Sequence, residues 1–146
     1  LSTSTKYGEV MALDTTATEA DILAKVKTLA NRVYTYEVPD ADATPAYPYV
    51  VVYFGEPVRT GVDHHITSTR NDTLRGYVTV QVISSDVDSA NALKNKLKVG
   101  LTGYRPVDSG EMVMEGGTGY AFTDSKPTKF FRELGYSYRT NLTWND

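Results

Sequence analysis

His64 and His65 are the two histidines of the chain, and metal binding is the first chemistry they suggest. Adjacent residues on a strand point to opposite faces, however, and no Asp or Glu recurs at i+2 or i+4 to complete a ligand set. Asp63 is the one neighbouring acid, so the pair reads as solvated loop residues and no metal is expected. Glu115-Gly116-Gly117-Thr118-Gly119 is rich in glycine, but a phosphate cradle needs a strand before it and a helix opening after it. The β-type residues Tyr120, Ala121 and Phe122 follow instead, which predicts a hairpin turn at Gly116-Gly117. A serine nucleophile needs a histidine base held by an acid, and no serine stands in a G-x-S-x-G elbow. Among the acids only Glu37 and Glu133 fall in apolar runs, as strand-face or strand-end residues. No catalytic residue and no cofactor is therefore expected. What remains is a basic cluster, Arg59, Arg70 and Arg75 with His64 and His65. Asp63 and Asp72 dilute it and no aromatic residues interleave with it for base stacking. It reads as a solvated loop or as salt-bridge partners across a subunit boundary, which makes these five residues the candidate interface.

The elements that must position them follow from hydrophobic spacing. Residues 1–16 are rich in Ser and Thr without a sustained period, which predicts a flexible arm ahead of a single domain over 17–146. Thr18 is the expected N-cap of a helix over 19–32, with Asp21 adding acid where the helix dipole favours it. Ile22, Val26, Leu29 and Val33 then share one face. Residues 33–38 are a short strand, 39–48 a proline-rich loop, and 49–54 (YVVVYF) a buried strand ended by Gly55-Glu56-Pro57. Residues 59–75 read as a long exposed hairpin or loop, of the kind that carries function.

The clearest unit is a strand over 77–83 running into a helix over 88–101. Val78, Val80 and Val82 alternate to one strand face, and Ser84-Ser85-Asp86 supplies turn and capping chemistry. Ala90, Leu93, Leu97 and Leu101 line one helix face, Asn91, Lys94, Asn95 and Lys98 face water, and Gly103 is the C′ residue. Burying the three leucines at ~1.5–3 kcal/mol each docks this helix on the sheet. The last third reads as antiparallel sheet: strands over 112–115, 120–123 and 133–143, with Leu134, Tyr136 and Tyr138 on one face. The expected order is α-β-β-loop-β-α-β-β-β, an α+β fold. Its sheet is mostly antiparallel with about four to six strands, and two helices pack on one face.

Composition bounds the function. At 146 residues the chain fits one domain, and its net charge of −3 leaves no global basic field for nucleic acid. With no cysteine, neither disulfides nor thiolate-bound zinc hold the fold. The longest apolar run, 47–54, is far too short to span a bilayer, and no membrane partner is expected. Eleven tyrosines against four phenylalanines suit half-buried strand positions first and interface use second.

The order of elements, and above all residues 78–101 reading VTVQVISSDVDSANALKNKLKVGL, resembles the tail terminators of tailed bacteriophages. The likeness covers roughly 18–143 in layout. It implies a structural, non-enzymatic virion protein of the tail and neck, assembled in the host cytoplasm. Such proteins form a ring, usually of six subunits, that ends polymerisation of the tail tube and meets the head-side connector. The implied partners are further copies of the chain, the tail tube protein, the connector or head-closure protein, and DNA passing through the lumen without specific binding. On this resemblance Arg59, His64, His65, Arg70 and Arg75 become the candidate subunit or tube interface. Two competitors are a head-closure or tube protein of the same assembly and a small ligand- or nucleic-acid-binding α+β module. The two helices weigh against a tube subunit, and the scarcity of histidine weighs against an enzyme.

Overall fold

The computed structural model describes residues 15–38, 45–59, 74–122 and 128–140. Two helices, α1 (Thr16–Leu29) and α2 (Val87–Leu101), accompany five strands: β1 (Val33–Thr35), β2 (Tyr49–Arg59), β3 (Leu74–Ser84), β4 (Val113–Phe122) and β5 (Lys129–Arg139). The strands form one sheet in the order β1-β2-β3-β5-β4, in which β1 is parallel to β2 and every other pairing is antiparallel. This is the expected α+β architecture.

Strand alternation builds the core. Val50 and Val52 of β2 face the same side as Val78, Val80 and Val82 of β3 and Leu134, Tyr136 and Tyr138 of β5. Ile22 and Val26 of α1 and Ala90, Leu97 and Leu101 of α2 close over them, and all of these side chains are buried. Leu29, Val33 and Leu93 are partly buried at the margin of that core. Gly76 is required where it stands, because a Cβ there would run into the ring of Tyr138.

The helix ends show where tertiary contacts override local signals. Asp86 caps α2, its Oδ2 accepting from the Ser89 amide at 3.1 Å, and these bonds to Ser89 hold its carboxyl below the usual carboxylate range. Gly103, at φ 82°, follows the C-cap Thr102 as the spacing predicts. In α1 the N-cap is Thr15, not Thr18. Thr18 is a buried helical residue whose hydroxyl donates to the Val107 carbonyl at 2.8 Å. The helix also stops at Leu29 rather than 32, because Ala30 is already extended and the chain turns into β1.

Three strand expectations need correction. Gly55-Glu56-Pro57 does not end β2, which runs on to Arg59. The register passes from Gly55↔Tyr77 to Val58↔Arg75, so Glu56 and Pro57 oppose Gly76 alone in a bulge. β1 covers only Val50–Val52, so Pro57 lies where β2 has no described outer neighbour and its missing amide costs no ladder bond. Gly116-Gly117 is not a turn: β4 passes straight through it, with a bulge between Met114 and Gly116, because β5 offers a partner along its whole length. The last strand begins at Lys129 and ends at Arg139, four residues earlier at each end than expected. Thr140 makes an isolated bridge to Ser109, and 141–143 lie outside the described residues.

Candidate interaction surface

The sheet face turned away from both helices carries the side chains of greatest interest. Alternation sends Tyr49, Val51 and Tyr53 of β2 there, with Arg75, Tyr77, Thr79, Gln81 and Ile83 of β3. Phe131, Glu133 and Ser137 of β5 join them. No described helix lies over this face.

It is apolar at one end and charged at the other. At the apolar end Tyr49, Val51, Ile83 and Phe131 form a small second cluster, flanked by Tyr34, Val38 and Tyr47. Tyr49 meets Tyr34 edge-on, with ring centroids 5.9 Å apart, and stacks on Tyr47 at 5.7 Å. Burial, and then the neighbouring tyrosines, push the Tyr49 phenol above its ordinary value. Further along, Tyr53 meets Tyr36 edge-on at 6.1 Å, and the Tyr36 hydroxyl donates to the Phe54 carbonyl. Tyr36, Tyr53 and Tyr77 remain 51%, 36% and 40% exposed, so this is solvent-facing aromatic surface rather than core.

The charged end is cross-linked. Arg75 Nη1 donates to Ser137 Oγ at 3.2 Å, and the buried Ser137 hydroxyl donates in turn to Glu115. Arg75 also lies 4.0 Å from the Glu115 carboxylate. Between the two ends Gln81 Nε2 donates to Glu133 Oε2 at 3.1 Å across β3 and β5. Among the described residues no group of three Asp or Glu side chains could hold a metal ion.

Of the five candidate interface residues the structure therefore settles the setting of two. Arg75 belongs to β3, not to an irregular loop, and its guanidinium is engaged with Ser137 and Glu115. Arg59 is the last residue of β2 and pairs in register with Leu74. His64, His65 and Arg70 lie outside the described residues, as does most of the arm expected over 1–16, of which Thr15 caps α1 and Thr16 opens it.

A second contact set escaped the sequence altogether. Asp21 of α1 accepts from the Tyr104 hydroxyl and from the Val107 amide, each at 2.7 Å. The bond to Asp21, together with burial, raises the Tyr104 phenol, and Lys25 Nζ sits 5.2 Å from the centre of its ring. With Thr18 on the Val107 carbonyl, this clamps α1 to the segment between α2 and β4. Asn91 also departs from its expected solvent exposure: it is half-buried and accepts from Arg132 Nε at 2.8 Å.

No protein-family model matches this sequence, and no curated protein is similar to it. Among solved structures the fold is similar to that of a chain in the virion of a native gene transfer agent particle. The TM-score is 0.60 at 15% identity, over 86% of this chain and 98% of that one. At that identity the likeness is one of fold.

Proposed function

We propose that this chain is a structural, non-enzymatic protein of a tailed-phage-like virion. In this reading it caps the tail tube as a ring, ends tube polymerisation and offers the surface on which the head-side connector sits. The observation that carries the reading is the fold likeness, which spans nearly the whole of a chain from a virion particle. The surface supports it in kind. A sheet face with three exposed tyrosines and a cross-linked polar end is what a subunit contact uses, since tyrosine brings large contact area and a polar tip at low entropic cost. The net charge of −3 lets DNA pass a lumen without adhering.

The partners in this account are further copies of the chain, the tail tube protein and the connector or head-closure protein, and the site of action is the tail and neck of the virion. Native mass spectrometry of the purified chain, alone and with tube subunits, tests it. A ring, free or on the tube end, is the expected species. A strict monomer that leaves tube ends bare would sink the proposal.

A further inference from the structure

Beyond the sheet face, the structure holds a cleft of about 320 Å³ between α2 and the β4–β5 pair. Lys94 and Lys98, one helical turn apart on α2, stand on one side, and Met114 and Leu134 make an apolar floor. Arg132 completes it. A Cβ at Gly119 would strike the Arg132 guanidinium, so the absence of a side chain there is what lets this group lie across β4. Arg132 is held in place through Nε by Asn91 and through Nη1 by its neighbour's carbonyl at Phe131. Neither lysine has a carboxylate partner among the described residues, and Glu133, although its backbone borders the cleft, turns its carboxylate to the opposite sheet face toward Gln81. Three cations thus line one cleft with no carboxylate paired to either lysine among the described residues, on a chain whose net charge is negative.

Next to this cleft runs an unpaired backbone. β4 closes the sheet on that side, so among the described residues its outer amides and carbonyls meet no strand. It has ten residues, and the positions 115–119 are all exposed. It contains no lysine and no proline, and its bulge and its one charge, Glu115, fall near its start, which leaves the stretch from Gly116 onward open to pairing. A strand added to β4 would project alternate side chains toward α2, over the cleft.

We propose that β4 and this cleft together take up an extended acidic segment of a partner protein as an added sixth strand, its alternate carboxylates meeting Lys94, Lys98 and Arg132. A nucleic-acid backbone would satisfy the cations but not the row of β4 amides and carbonyls, and among the described side chains no aromatic ring lines the cleft for base stacking. The inference concerns a single subunit and a short peptide, and so stands or falls separately from ring assembly.

The test uses the full chain and a fluorescein-labelled peptide of alternating Glu and Val, matched in length to β4, with an alternating Lys and Val peptide and a single-stranded oligonucleotide as competitors. The acidic peptide is expected to bind, more weakly as salt rises, and to lose about ten-fold or more in affinity when Lys94 and Lys98 are both changed to Glu. Hydrogen exchange should show amides of β4 gaining protection on binding, which a purely electrostatic contact would leave unchanged. Lys94 is half-buried and Lys98 exposed, so the variant is expected to fold, and unchanged circular dichroism confirms it. Binding that survives the double substitution, binding without protection of β4, preferential binding of the oligonucleotide, or no binding at all would each overturn the proposal.

Discussion

Tyr138 is fully buried, yet its hydroxyl has no hydrogen-bond partner among the described residues. An unsatisfied buried hydroxyl costs about 1–3 kcal/mol, so Tyr138→Phe is expected to stabilise the fold by about 1 kcal/mol near neutral pH, read from the urea midpoint. Burial, reinforced by Glu19 and Tyr36, also pushes this phenol up to about 12 from 10.0. The folded chain then keeps a proton that the unfolded chain releases, so stability is fully present below pH 10.0 and falls as pH climbs toward about 12. Tyr49, Tyr104 and Tyr136 are raised as well and act with the same sign. In thermal melts across that range Tyr138→Phe should lose less stability than the parent chain; an identical slope would show that Tyr138 titrates normally. Asp21 works in the opposite sense, because it satisfies its partners. Asp21→Ala leaves the Tyr104 hydroxyl and the Val107 amide without their acceptor and is expected to cost about 1–3 kcal/mol by urea unfolding. The shared face of Tyr138 with Leu134 and Tyr136 was legible in the sequence, whereas the role of Asp21 was not. Asp21 read as an acid serving the helix dipole because its partners stand 83 and 86 positions further along the chain. Local pattern carries no information over that distance.

At the level of elements, Gly117 separates what was readable from what was not. Glycine pairs next to β-type residues usually mark turns, yet β4 continues through Gly116-Gly117 because β5 pairs with it on both sides of the bulge. A Cβ on Gly117 would press against the Glu133 carbonyl, a backbone atom that cannot move aside without breaking the ladder. Gly117→Ala is therefore expected to destabilise the fold by about 1–3 kcal/mol in urea unfolding. In a strand free of that contact, alanine would instead stabilise by a few tenths to 1 kcal/mol. A neutral or stabilising result would favour a turn. The β3–α2 unit was legible except at its start, where β3 begins at Leu74, three residues before the expected 77; alternation at Val78, Val80 and Val82, the Asp86 cap, the leucine spacing and Gly103 all point to one answer. The continuation of β2 past Pro57 was not. It depends on a bulge and on β1 being too short to reach that point, and both are properties of neighbouring strands.

On the scale of the whole molecule, both helices cover one face of the sheet and leave the other to tyrosines, a cross-strand Gln81–Glu133 pair and the Arg75–Ser137–Glu115 network. The tyrosine excess was visible in the composition, and its division between core and surface followed only once strand parity was known: Tyr136 and Tyr138 fall inside, Tyr53 and Tyr77 outside. Arg75 was picked out from the sequence as part of a basic cluster, but Glu115, its counter-charge, is forty positions on and reaches it only through the β3-β5-β4 order. Such a one-sided sheet, in a fold shared with a virion chain, is the ground for proposing assembly rather than catalysis. The most direct measurement is tube length. Tail tube protein is polymerised with and without this chain, and tubes are sized by negative-stain electron microscopy. The account predicts short tubes bearing a ring of density at one end, in proportion to the chain added. Tubes of unchanged length with bare ends, beside a chain that stays monomeric, would contradict it.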